Sequence, residues 1–372
     1  MGSLSSLRPS HATMATSSSP GSNSNTSGYR IYASFYNPNP GPYDEIGNWV
    51  EAYHPLDNSW HNVGPIPDLL EGHVLRDFAM VAVAPVVYFI GGRLCRKDDD
   101  VGEVDVAVRS AVYCHNAQTL EWSRCAPLGT PRFDFACTVS DGRIYVAGGQ
   151  SSLKGARGVS TAEVYDPGLD VWTPLPSMST LRYKCVGVTW QGRVHVVGGF
   201  TERGGDMSPL PSDTDRSSVE VFDPTRGVWE LIANMWQLDV PPNQIVAVGS
   251  RLFSSGDCLN EWKGHIEAYD GNLNIWNMVD GSQLEYLSSP ISSPLASEPI
   301  QQSERIYVTM APIGTHLYFL AGYRLPDRDH GCMSVVHTFD TSASEDQWRS
   351  LEPVEEYACK ELCSHCSAIQ VS

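Results

Sequence analysis

Apolar and β-branched residues fall in short runs along this chain, each cut off by Gly, Asp, Ser or Pro. The stretch from Arg132 to Met178, RFDFACTVSDGRIYVAGGQSSLKGARGVSTAEVYDPGLDVWTPLPSM, shows the pattern most plainly. Runs of this length between turn residues predict β-strands, at about Phe133–Val139, Arg143–Ala147, Thr161–Tyr165 and Val171–Pro174. Gly148-Gly149 lies between the second and third, a place for positive φ or close approach of another backbone. Tyr165 follows, and seven residues later Trp172.

The module recurs. Gly91-Gly92 leads to Tyr113 and Trp122, Gly198-Gly199 to Phe222 and Trp229, Gly256 to Tyr269 and Trp276, and Gly322 to Phe339 and Trp348. The aromatic-to-Trp step is seven residues in four modules, counting Tyr53 to Trp60, and nine in the other two. A repeat of about 50 residues marks stacked β-units. Aromatics at one fixed place in such units are packing residues, each burying ~150–250 Å².

The chain ends share one module. Gly28–Ser34 aligns with the second strand at Gly142–Ala147, with Phe35-Tyr36 in place of the diglycine, so the first strand is missing there. The closing segment Cys363–Val371 ends in SAIQV, which reads as that first strand. Trp60, Trp122, Trp172, Trp229, Trp276 and Trp348 then mark six units.

On the hydrophobic-Gly-Gly, Tyr/Phe-Asp-Pro and Trp signals, best seen at residues 143–174 and 193–229, residues 29–372 resemble the kelch-repeat family. The resemblance implies an all-β fold, a six-bladed kelch β-propeller closed by the C-terminal strand against the N-terminal blade, which removes exposed strand edges. Residues 1–28, rich in Ser, Asn, Thr, Gly and Pro, form a tail that cannot bury a core. The modules resemble those of plant kelch proteins, many of which follow an F-box. The short tail leaves no room for one, so the expectation is a propeller without its ligase hook.

Twenty-five basic residues against 43 acidic ones give a net charge of −18. That argues against nucleic acid as ligand, since phosphate binding needs a basic footprint. Ten cysteines lie without paired spacing, several (Cys114, Cys137, Cys185, Cys258) in or beside apolar strands, which reads as free thiols in a reducing compartment. The longest apolar run, Phe78–Gly92, contains Pro85 and falls short of a membrane span. A cytoplasmic or nuclear location is expected. Met1–Ser6 also fits the N-myristoylation pattern, and the acid-free tail a transit peptide, as alternatives.

No G-x-S-x-G, phosphate loop or H-E-x-x-H is present. A galactose-oxidase-like copper site needs Tyr and His brought together, which spacing alone does not do. The iron site of plant specifier proteins needs Glu-x3-Asp-x3-His, and after Glu202 and Asp206 this chain has Leu210. Cys359, Cys363, His365 and Cys366 lack the spacing of paired zinc knuckles and read as buried cysteines. No cofactor is expected.

Recognition of a partner protein is the first reading, recruitment to a ubiquitin ligase the second, and a metal-dependent or small-molecule enzyme the third. In kelch adaptors the mouth uses residues entering each first strand. Aligning Leu75–Phe78, Pro131–Asp134, Leu181–Lys184 and Glu304–Tyr307 gives a recurring Arg (Arg76, Arg132, Arg182, Arg305) and, two places later, a varied set (Phe78, Asp134, Lys184, Tyr307). Phe78, Arg132, Asp134, Arg182, Lys184, Arg305 and Tyr307 are the candidate partner contacts. The long segments after Gly92, Gly199 and Gly322, and Asp280–Ser303, are candidate recognition loops.

Overall fold

The computed structural model describes residues 28–38, 47–98, 102–202, 216–238, 240–283, 304–325, 331–345, 347–356 and 358–371. The tail before Gly28 and most of Asp280–Ser303 lie outside them, as do Asp206 and Leu210. The fold is all-β, built of antiparallel sheets mostly of four strands.

In the third sheet Ala136–Ser140, Arg143–Ala147, Ala162–Asp166 and Val171–Leu175 pair in chain order. The second sheet repeats this over Ala79–Val83, Val86–Ile90, Val112–Asn116 and Trp122–Cys125. The fourth takes Val186–Trp190, Arg193–Val197, Val219–Asp223 and Val228–Ile232, and the fifth Ile245–Val248, Arg251–Ser254, Glu267–Asp270 and Ile275–Met278. The sixth runs from Glu304–Ile313 through His316–Arg324 and Cys332–Asp340 to Trp348–Ser350. In the first sheet, Tyr29–Tyr36, Trp49–His54 and Ser59–Pro65 are joined by Glu361–Leu362 and Ser367–Gln370 from the far end of the chain, with Tyr29 opposite Gln370 and Tyr32 opposite Ser367.

First strands pack on first strands. Ala79–Val83 lies against Ala136–Ser140, which lies against Val186–Trp190, and the contacts continue through Ile245–Val248 and Glu304–Ile313 to Ser367–Gln370, which touches Ala79–Val83. Apolar side chains from both faces fill the space between sheets, as in the cluster of Tyr88, Ile90, Phe135, Ile144 and Tyr165.

The aromatic repeat has a direct geometric cause. A two-stranded turn of fixed length puts Tyr165 opposite Trp172, Phe222 opposite Trp229, Tyr269 opposite Trp276 and Tyr53 opposite Trp60, with ring centroids 5.0, 5.0, 5.4 and 5.1 Å apart. A longer turn does the same for Phe339 and Trp348. The second sheet departs from the expected register: Trp122 faces His115 rather than Tyr113. The seven-residue step is therefore kept there, with a buried histidine in the aromatic's place.

Three of the tryptophans also tie their sheet to the one before. The indole N–H of Trp172 donates to the Ala126 carbonyl at 2.9 Å, that of Trp229 to Pro176 at 2.7 Å, and that of Trp276 to Met235 at 2.8 Å. The tyrosine hydroxyl donates to an Asp or Asn in the same hairpin: Tyr165 to Asp170, Tyr269 to Asn274, Tyr53 to Asn58. That residue sits at positive φ and reaches the preceding sheet in turn, Asp170 accepting from Ala126 N–H and Asn274 donating to Ala233 O. Asn58 of the first sheet reaches Glu352, which follows the last strand of the sixth.

Two expectations change. The segment after Gly92 is not a loop: Arg93–Asp98 and Gly102–Val108 form a hairpin that adds to His73–Arg76 as a three-stranded sheet. The cysteines are not all free either, because Cys332 and Cys359 are disulfide-bonded, their Cα atoms 5.3 Å apart. Cys363 and Cys366 are buried thiols, as read from the sequence.

Tyr165→Phe removes only the hydroxyl bonded to Asp170 and should cost ~1 kcal/mol in urea titration. Trp172→Ala, which removes ring packing and the bond to Ala126, should cost ~3 kcal/mol. Equal losses would show that the inter-sheet contact carries no stability of its own.

Candidate functional site

The entries to the first strands of the third and fourth sheets are shaped from beneath by buried charge. Arg132 donates to the Gly148 carbonyl at 2.8 Å, the Thr161 carbonyl at 3.1 Å and the Glu163 carboxylate at 2.7 Å. Glu163 is completed by the backbone N–H groups of Gly129 and Thr130. Arg182 repeats this on Gly198, Ser218 and Thr180, while Glu220 accepts from Ser179 and Thr180. These bonds offset part of the cost of burying the ions, though burial still pulls the Arg132 guanidinium below its usual range. The diglycines are needed because the next sheet comes so close. A Cβ on Gly148 would stand 2.8 Å from Arg182 O of the next sheet, and the Gly149 N–H donates to that same carbonyl at 2.8 Å.

Above these pairs, three residues from successive sheets are linked main chain to main chain. Lys184 N–H donates to Asp134 O at 2.7 Å, Asp134 N–H to Asp77 O at 3.2 Å, and Asp77 N–H to Cys363 O at 3.0 Å. All three have φ near +50°, namely 53° at Asp77 and Asp134 and 52° at Lys184. The turn throws their side chains off the strand line. This ladder places Asp77, Asp134 and Lys184 at one structural position and shifts the sequence alignment by one residue in the second sheet. Asp77, not Phe78, corresponds to Asp134. Phe78 instead lies against Gly92 as Phe135 lies against Gly149.

The candidate contacts therefore divide. Arg132 and Arg182 are both 0% exposed, Phe78 4% and Tyr307 3%. A side chain without surface cannot meet a partner, so these four belong to the packing. Tyr307 fills the space over Gly322 and its hydroxyl meets Ser334 at 2.9 Å. A bulge between Arg305 and Tyr307 displaces this strand from the spacing of the others. Asp134 and Arg305 keep partial exposure and Lys184 is exposed. Arg76 is held by Glu103 at 2.7 Å and by the Tyr36 hydroxyl at 2.9 Å. Among the described residues, neither Lys184 nor Arg305 pairs with a carboxylate in direct contact.

The sequence reading missed three neighbours. Asp77 accepts from Arg93, which also pairs with Asp105. Gln150 approaches Asp134 at 3.5 Å. His365 is reached by solvent yet enclosed by protein beside Asp77, and burial pushes its imidazole below the usual range. Asp77 was visible in the sequence as the residue after Arg76, but a one-residue slip hid it. Away from this ladder, a groove of about 950 Å³ between the fourth and fifth sheets is lined by Trp190, Ile232, Arg251, Asp270 and Met278 among others.

Burial, then the nearby Asp77 charge, raise the Asp134 carboxyl from 3.8 to about 7, against the pull of Lys184 and Arg93. The folded state then holds a proton between about pH 4 and pH 7 that the unfolded chain has lost, so stability falls as pH rises through that window and the penalty is complete above it. Asp134→Asn, which tolerates positive φ, should raise the denaturation midpoint at pH 8. The gain is bounded by the ~4 kcal/mol that such a shift represents, and it should vanish near pH 4. A gain of equal size at both pH values would remove the titration as its cause.

Kelch motifs match at residues 131–179 and 181–235, the third and fourth sheets. An F-box/kelch-repeat protein of Arabidopsis thaliana is 32% identical over 188 residues, which is 50% of this chain and 46% of that relative. Arabidopsis F-box/kelch-repeat protein SKIP30 is 24% identical over 334 residues, 88% of this chain and 80% of its own length. Human Kelch-like protein 23 is 25% identical over 186 residues, 50% of this chain and 28% of its own. The chain thus spans about half the length of the first of these relatives. Their names are those of kelch proteins and not of enzymes. With its Tyr/Phe–Trp hairpins and the Arg–Glu pairs beneath its diglycines, the chain carries kelch motifs in its third and fourth sheets and is similar to the plant F-box/kelch-repeat proteins.

Proposed function

We propose that this protein is a non-enzymatic interaction scaffold whose six sheets form a closed six-bladed propeller, and that the mouth around Asp77, Asp134 and Lys184 receives a segment of a partner protein. Closure is supported by the cyclic order of first-strand contacts and by Ser367–Gln370 pairing with Tyr29–Tyr32. Lys360 adds to it: 4% exposed, it reaches Glu51 beside the first sheet's inner strands and Glu356 beside the sixth, each at 2.7 Å. The observation that carries the recognition reading is the main-chain ladder, which fixes three different side chains from three sheets over a rigid base. Such a platform presents several groups to one ligand without rearrangement.

Lys184 and Arg305 are cations in a chain of net charge −18. They fit carboxylates of the partner, while Asp77 and Asp134 fit a basic or hydrogen-bond-donating group beside them. The segment is therefore of mixed charge. The F-box in the names of the plant relatives gives a second reading, substrate recognition for a ubiquitin ligase through a separate subunit. Co-purifying ligase subunits would favour it.

Lys184→Glu with Arg305→Glu should reduce partner capture by the immobilised protein at least tenfold, since truncating one side of a desolvated charge contact costs ~2–5 kcal/mol. The melting temperature should be almost unchanged. Unaltered capture by this double variant, with loss on Ile232→Asp, would move the site to the groove between the fourth and fifth sheets. Deleting residues 366–372 opens the proposed ring and should lower soluble yield sharply, whereas a truncation that melts like the intact chain would rule out closure by that strand.

A further inference from the structure

The outer hairpins of this repeat share a turn device. Asn116, Asp166, Asp223, Asp270 and Asp340 each follow the residue opposite tryptophan, and each accepts backbone N–H through its side-chain oxygen: Asn116 from Gln118, Asp166 from Gly168, Asp223 from Thr225, Asp270 from Asn272 and Asp340 from Ser342. This side-chain-to-backbone bond stabilises the turn. The first sheet breaks the rule. At the same place, directly after Tyr53, it has His54, which cannot form that turn bond in the same way.

The same hairpin departs from its counterparts at two further positions. Asp57 stands where the third, fourth and fifth hairpins have Leu169, Arg226 and Leu273, and His61 stands where they have Thr173, Glu230 and Asn277. The three changes converge. One donor atom from each of His54, Asp57 and His61 lies within 4.8 Å of the others, and the two imidazoles are 4.3 Å apart between centroids. Ser59 gathers two of them, its hydroxyl donating to Asp57 at 2.7 Å and lying 3.0 Å from His61 Nε2. Giving up a turn cap while gaining three convergent donors has no account in the packing of this hairpin, whose Tyr53–Trp60 pair and Asn58 contact are those of its neighbours.

We infer that His54, Asp57 and His61 form a site for a divalent transition metal, zinc in the first instance, on the outer rim of the first sheet. Two imidazoles and a carboxylate are a donor set for zinc, with a water in the fourth place. Donors on tetrahedral zinc stand roughly 3.3 Å apart, so the three need close by no more than about 1.5 Å. Asp57 and His61 are exposed side chains and are free to swing. The site lies one residue from Asn58, which joins the hairpin to Tyr53 and to Glu352 beside the sixth sheet. A bound ion would fix that turn and so brace the junction of the first and sixth sheets.

The test is zinc titration of the full chain by calorimetry, with thermal melts in parallel. The wild type should bind one zinc and melt at a higher temperature with it, because a ligand of the folded state adds stability. His61→Thr takes the residue of the third hairpin, and Asp57→Leu that of the third and fifth. Both should melt like the wild type without metal, lose affinity more than tenfold and show no zinc-dependent rise. His61→Asp, which restores a donor, should recover part of the binding. Zinc binding by His61→Thr equal to the wild type, or no binding by the wild type itself, overturns the assignment.

Discussion

Everything in this molecule rests on the contact that one hairpin makes with the sheet before it. A single sheet of four short strands has two faces to cover and no core of its own. It gains one only when the next sheet is pinned at a fixed distance. The tryptophan N–H and the Asx side chain in the turn just before it do this together, both aimed at the chain that leaves the preceding sheet. The bonds are worth little singly, about 1 kcal/mol net. Their value lies in geometry, because they fix the hairpin against the chain that leaves the preceding sheet. Asn58 uses the same device on Glu352, where the two neighbours are the first and sixth sheets rather than consecutive ones in sequence.

The inner end is organised by a different force. There the sheets converge and leave no room for side chains at the diglycines, so carbonyls and N–H groups of adjacent sheets meet directly. Carbonyls turned inward need donors, and Arg132 and Arg182 supply them while Glu163 and Glu220 balance the charge. A buried arginine is tolerable only with its charge balanced and most of its donors bonded. The recurrence of arginine at these entries therefore reflects backbone chemistry rather than ligand binding. What varies is the ladder residue, Asp77, Asp134 or Lys184, each held at positive φ by the same main-chain bonds.

How much of this was legible follows from the range of the interactions. The strands, their order, the Tyr–Trp register and the shared module of the two chain ends are local or periodic, and the sequence shows them. The second sheet was misread at Tyr113 because the pairing residue is His115, and an aromatic search passes over histidine. The mouth was misaligned by one residue because Arg76 mimics Arg132, while Leu75 holds its place in space. No periodicity reports a positive φ at Asp77. The hairpin after Gly92 reads as a loop, since RLCRKDDDVGEVDVAV carries charges where a buried strand would be apolar and pairs only along an exposed extension. The disulfide joins Cys332 and Cys359 across 27 residues, a distance at which spacing says nothing.

The two ends of the sheets thus answer to different constraints, and this separates what a substitution does. At the outer hairpins a residue such as Asp170 has its oxygen committed to Tyr165 and Ala126, so any change there is felt as stability. At the mouth the backbone of Asp134 is fixed on both sides by Asp77 and Lys184, while its side chain makes one long contact to Gln150. A carboxyl so enclosed, poised at about 7 beside another carboxylate, costs the fold free energy. Residues that cost stability and are held in place by the main chain of their neighbours are those a binding surface keeps, since a partner's opposite charge recovers on binding what folding gave up. His54, Asp57 and His61 stand apart from both cases: they occupy the structural end, yet they have abandoned the bond that defines it.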